Sequence, residues 1–128
     1  MDYLTLRIPA DMEEKITSTT WTGEPPFHGS NGMYKQCNCE RVQVVPAAYE
    51  HIRKKHYLEG DLFCDEEGLL NGSPRNLRAS QMRYWFMWRI QDQLTEDWRD
   101  WCTIVGDAVF CVPATDKNLK IMEDILDS

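Results

Sequence analysis

The chain lacks any long apolar run. Nothing in its 128 residues approaches the ~18–20 consecutive apolar positions needed to span a bilayer. The opening MDYLTLRIPADMEEKI mixes acidic with apolar residues and does not read as a signal peptide. Phosphate-cradling loops are missing too, since neither G-x-G-x-x-G nor a Walker pattern occurs. Basic residues are in short supply. Fourteen Lys and Arg face 21 Asp and Glu, for a formal net charge of −7 and a pI near 4.9. That balance argues against binding to a nucleic-acid polymer, whose phosphates need a cationic surplus. Histidines number three, His28, His51 and His56, and cysteines five, Cys37, Cys39, Cys64, Cys102 and Cys111. An odd count without a secretory leader points to reduced thiols and a cytoplasmic setting.

What the chain has is a folding composition. Hydrophobic residues make up 42%, with five tryptophans, so a packed core rather than disorder is expected. The length suits one domain over residues 1–128. Leu4, Leu6 and Ile8 alternate with Thr5 and Arg7 as in a half-buried strand. Pro9 then suits the first turn of a short helix over 11–17, with Met12 and Ile16 inward. Residues 18–40, rich in Gly, Pro, Ser and Asn, read as an irregular loop pinned by Trp21 and Phe27, with a short strand near Met33–Gln36. A β-branched strand at 41–45 ends at Pro46, and a helix is expected over 47–55. Leu62–Asp65 and Leu69–Leu70 flank Glu66-Glu67-Gly68 as a hairpin, with positive φ expected at Gly68. Ser80 is the expected N-cap of a Trp-rich helical segment over 80–101. Its inner stripe is Met82, Phe86, Ile90 and Leu94, widened by Trp85, while Tyr84 and Trp88 fall on another face. Thr95 caps a further turn. Thr103–Val112 forms a bent strand or strand pair about Gly106-Asp107. Thr115 or Asp116 caps a last helix with Leu119, Met122, Ile125 and Leu126 facing inward. The fold class is therefore α+β, a mainly antiparallel sheet with three to four packed helices in a single compact domain.

Catalytic chemistry finds little support. Cys37-Asn38-Cys39 has no second ligand pair, and His51 and His56 are five apart, so no metal and no cofactor are expected. Cys37 or Cys39 is the better candidate for a reactive thiol, and Cys64 and Cys111 read as small core residues. The carboxylates Asp61, Asp65, Glu66 and Glu67 surround a turn, where solvated acids are ordinary. One local patch runs against the acidic whole. Arg75, Arg78 and Arg83 lie beside Tyr84 and Trp88 at the start of the long helix, a combination suited to phosphates and a stacked base. The same aromatic helix also suits a core or an oligomer seam.

The segments RVQVVP, CDEEGLL, GSPRNLRAS and IVGDAVFCVP together resemble a family of small uncharacterised proteins from phages, large algal viruses and mobile elements. The matching positions are Asp65, Glu66, Gly68, Leu69, Pro74, Asn76, Ala79 and Gly106, over about half of the chain. The resemblance implies a viral or mobile setting, and by analogy an action on host defences. The reading that follows is a non-enzymatic, homo-oligomeric binding protein of the host cytosol. It would counter host defence by sequestering a small nucleotide signal through Arg75, Arg78, Arg83, Tyr84 and Trp88. The alternative is an acidic inhibitor that occupies a basic or nucleic-acid-binding surface of a host protein, through the runs 61–67, 96–100 and 116–127.

Overall fold

The computed structural model describes residues 2–23, 25, 32–37, 39–51, 53–90 and 103–127. Five strands and three helices follow one another as β1 (Asp2–Ile8), β2 (Thr17–Thr22), α1 (Met33–Gln36), β3 (Val42–His51), β4 (His56–Asp65), α2 (Leu77–Ile90), β5 (Ala108–Pro113) and α3 (Asp116–Asp127). The strands form one sheet in the order β2-β1-β5-β4-β3, with every neighbouring pair antiparallel. This is the α+β fold the sequence predicts. Among the described residues no helix is long and apolar enough to cross a membrane.

Strand β5 explains the layering. It lies in the middle of the sheet, and Ala108, Val109, Phe110, Cys111 and Val112 are all buried, as a strand covered on both faces requires. One parity of side chains (Leu4, Leu6 and Ile8 from β1, Leu58, Leu62 and Cys64 from β4, Phe110 and Val112 from β5) meets Ala79 and Met82 of α2 and Ile121, Met122 and Ile125 of α3. The other parity, Phe63, Val109 and Cys111, packs on Met33 and Cys37 of the α1 segment, with Trp21 against the same cluster. Thr5, on that second face, is fully buried and donates its hydroxyl to the Thr19 carbonyl (3.1 Å).

Several local expectations are corrected. Residues 11–14 make turns, not a helix, and Thr17–Thr22 is the edge strand β2. Met33–Gln36 is a helical turn instead of a strand. The helix expected over 47–55 is the second half of β3 and the turn into β4, with His51 paired to His56 and Lys55 at φ +55°. Pro46 therefore sits inside a strand. It is tolerated because β3 is an edge strand of the sheet, and its carbonyl accepts a bond from Arg83 Nη1 (2.7 Å).

Glu66-Glu67-Gly68 does not join two paired strands. Residues 66–72 are consecutive turns, with Leu69 and Leu70 80% and 87% exposed. Positive φ falls on Gly72 (+67°), not Gly68. Gly68 is needed for close approach instead, because a Cβ there would lie 2.5 Å from Val105 Cγ2.

Helix α2 begins four residues earlier than a cap at Ser80 would place it, and Asn76 is its cap. Asn76 Oδ1 accepts the Ala79 N–H (3.0 Å), the N-cap to N3 geometry. Its Nδ2 donates to the carbonyls of Ile8 (2.8 Å) and Gly106 (2.9 Å), and its N–H to that of Ile104 (2.8 Å). Fully buried, this side chain ties the end of β1, the approach to β5 and the start of α2 together. Ser80 lies inside the helix, where its hydroxyl donates to the Asn76 carbonyl (2.7 Å) and accepts the Ile104 N–H (2.8 Å). At α3 the expected cap is present, with Thr115 Oγ1 accepting the Asn118 N–H (3.2 Å). The buried stripe of α3 is Ile121, Met122 and Ile125, while Leu119 and Leu126 are exposed. Phe27, Leu94, Thr95, Cys102 and the acidic run 96–100 lie outside the described residues.

Candidate functional site

A cavity of about 320 Å³ opens between the first-face side chains of the sheet and the two long helices. Leu6 and Ile8 of β1 form its floor. Met82 and Trp85 of α2, Ile125 of α3 and Tyr49 of β3 form its walls, and Met12, Ile16 and Leu77 complete the lining. Tyr49 and Trp85 meet edge to face, centroids 5.8 Å apart at 84°, a favourable arrangement for the two ring quadrupoles. Burial and the carboxylate of Asp124 raise the Tyr49 phenol above its ordinary value, so it remains neutral at physiological pH. The volume sits at the lower end of the ~300–1,000 Å³ range of small-molecule sites, which are commonly apolar with a few placed polar groups.

Among the described residues that line the cavity, Arg78 is the only charged one and Gln81 the other strongly polar one. The guanidinium is oriented by Nη2, which donates to the backbone carbonyls of Pro9 (2.8 Å) and Asp11 (2.9 Å). These bonds hold the β1–β2 loop over the first turn of α2. They do not neutralise the charge, and among the described residues no carboxylate pairs with Arg78. Its Nε is buried and has no acceptor. A buried donor left without a partner costs about 1–3 kcal/mol, and the burial of this atom keeps it from facing the cavity.

The five residues predicted from the sequence are not brought together. Arg75 is exposed, in an isolated bridge to Val105 ahead of the helix. Arg78 braces the β1–β2 loop. Arg83 reaches Pro46 on β3 and lies 6.0 Å from the Phe86 ring. Tyr84 and Trp88 lean on each other, centroids 6.2 Å apart at 34°, with Trp88 51% exposed. Arg78 and Trp88 stand ten positions apart, about 15 Å along the helix at ~1.5 Å per residue. Arg89 pairs with Glu50 and lies 4.2 Å from the Tyr57 ring centroid. The arginines of α2 are thus spread as braces along its length. Nothing local in the sequence marks Tyr49, Met12 or Trp85 as site residues. Trp85 falls on the inner stripe, but nothing local says that the stripe borders a cavity.

The other candidates resolve into structural roles. Burial drives the Cys37 thiol far up, and it donates to the Phe63 carbonyl (3.4 Å). Burial also raises Cys39 to about 11 and Cys111 to about 12, and raises Cys64. Thiols held this way are poor nucleophiles at neutral pH, because the thiolate is the reactive form. No group of three His, Cys, Asp or Glu among the described residues could hold a metal ion. His51 Nδ1 accepts the Lys54 N–H (3.1 Å), and His56 Nε2 bonds Asp124 (2.7 Å). Asp65 orders its turn by accepting the Glu67 N–H (2.9 Å), and Glu67 faces Arg41 at 3.7 Å on the surface.

Fold and cavity together define an antiparallel α+β domain with an apolar pocket under two helices. Comparison with protein families, with curated proteins and with solved structures finds no match to this chain.

Proposed function

We propose that the chain is a non-enzymatic binding protein that sequesters a small ligand in the cavity between the sheet, α2 and α3. The observation that carries this reading is the cavity itself, a concave and almost wholly apolar site between the sheet and two helices. The raised thiols support binding rather than catalysis. Sequestration is the mode anticipated from the sequence, with the site moved from the outer face of α2 to its inner face. A nucleotide signal fits this site less well than the outer face, because the lining offers one cation and hardly any other polar group. The setting, a viral or phage-type protein countering defence in a host cytosol, rests on the resemblance carried by the four segments between Arg41 and Pro113 and on the reduced thiols. Half-exposed Trp88 beside Tyr84 supports a second role for the outer face, as the seam of a homo-oligomer or of a host-protein complex.

Methyl-resolved NMR tests the assignment. Indole and a panel of cyclic nucleotides are added in turn. Indole is expected to shift the methyl signals of Leu6, Ile8, Met82 and Ile125. Shifts centred instead on Tyr84 and Trp88, produced by a nucleotide, would return the site to the outer face and overturn the assignment. Light scattering on the same samples reports the oligomeric state.

A further inference from the structure

We infer that the cavity takes a neutral apolar molecule about the size of two fused rings and rejects ions of either sign. The inference rests on the cavity being the ligand site and specifies what enters it.

The surface of the cavity sets the class. Among the described residues that line it, Leu6, Ile8, Met82 and Ile125 offer only carbon and sulfur, and the wall as a whole is almost wholly apolar. Arg78 and Gln81 do not change this. The Arg78 Nη2 is spent on the carbonyls of Pro9 and Asp11, and its Nε has no surface open to a ligand. Gln81 is exposed, at the rim. Both residues border the space chiefly through their methylene stems, as long polar side chains do against apolar surface. The edge-to-face pair of Tyr49 and Trp85 gives one wall aromatic faces and edges, which favour a flat ring.

An ion gains nothing there. No carboxylate belongs to the described lining, so a cation would give up its water without a partner. An anion meets a net charge of −7 on approach and finds the one guanidinium engaged with backbone carbonyls. A buried charge without a partner costs far more than apolar contact returns. Size follows from volume. The space of about 320 Å³ is roughly twice the ~150 Å³ apolar void that binds benzene, which leaves room for a second ring. The way in is marked by exposure. Met12 and Leu77 are 57% and 54% exposed, so the mouth lies between the β1–β2 loop and the first turn of α2. The flexible thioether of Met12 can yield to an entering ring.

The test compares three near-isosteric probes, 2-naphthalenemethanol, 2-naphthoate and 2-naphthylmethylammonium, by isothermal titration against the whole protein at pH 7. The neutral alcohol is expected to bind at least about tenfold tighter than either ion and to shift the methyl signals of Leu6, Ile8, Met82 and Ile125. An ion that binds as tightly as the alcohol, at those same methyls, overturns the neutral class and leaves the cavity as the site. Failure of all three probes and of indole to move those methyls overturns the cavity reading itself. Benzyl alcohol, with one ring, is expected to bind more weakly than the two-ring alcohol, and equal affinity overturns the size. Two filling variants, Ile125→Phe from α3 and Met82→Phe from α2, are each expected to lose most of the binding while staying folded. Undiminished binding in either folded variant places the ligand outside the cavity.

Discussion

Replacing Asn76 by Ala tests the claim that one buried amide joins three parts of the fold. The substitution removes an acceptor and two donors at once. Loss of the cap at Ala79 N–H costs about 1 kcal/mol, with a usual span of about 0.5–2. The carbonyls of Ile8 and Gly106 are left facing a space with no donor, each at about 1–3 kcal/mol. Together these losses come to about 3–7 kcal/mol, a large share of the roughly 5–15 kcal/mol that holds a domain folded. Urea unfolding monitored by tryptophan fluorescence is the assay, with the shift in midpoint read at unchanged slope.

Asn76→Asp separates the parts. Its carboxylate still caps Ala79, and a negative charge suits a helix N-terminus. It has no N–H for the two carbonyls, however, and sets an anion against them. Asn76→Asp is therefore expected to be at least as unstable as Asn76→Ala. A loss below about 1 kcal/mol for Ala, or an Asp variant clearly milder than Ala, would refute the bridging role and leave only an ordinary cap.

Three further outcomes are expected. Gly60→Ala places a Cβ 2.6 Å from both the Cys111 carbonyl and Val112 Cγ1, so it should cost about 2–3 kcal/mol in the same unfolding assay, in the range of overpacked cores. Iodoacetamide at pH 8 should label Cys37, Cys39, Cys64 and Cys111 slowly in the folded protein and rapidly in urea, as followed by peptide mass spectrometry, because burial raises all four thiols. The His56 hydrogen bond holds the Asp124 carboxyl below its ordinary value. Its contribution is therefore present above the usual carboxylate range, near pH 4, and is lost as pH falls through the lowered value. Asp124→Asn should flatten that acid limb in a stability-against-pH series, and an unchanged limb would place the acid sensitivity elsewhere.

Much of the sheet was legible because its residues signal locally. Leu4, Leu6 and Ile8 alternate, β5 is a continuous apolar run closed by Pro113, and Thr115 stands where a cap belongs. The errors have physical causes too. Pro46 reads as a terminator unless the strand that holds it is known to be an edge. Thr17–Thr22 has no alternation because most of that edge strand faces solvent, so only its β-branched threonines speak for it. Ser80 has the chemistry of a cap, and Asn76 displaced it by serving three partners at once. The cavity left no trace in any single stretch. Its lining comes from β1, the following loop, β3, α2 and α3, and only the tertiary packing brings Ile8, Tyr49, Trp85 and Ile125 together. The arginines were visible as a patch, but their bonds run to carbonyls and acids far away in the chain.

Pro46 has a consequence beyond the strand that contains it. A ten-residue strand at the rim of a sheet is a template on which another chain can zip, and one unbroken row of donors and acceptors is enough to start a fibre. A proline in the middle of that row removes one donor, and Arg83 keeps its carbonyl occupied. The protein thus carries a guard against stacking upon itself, built from one imino acid and one guanidinium, on one edge strand of its sheet.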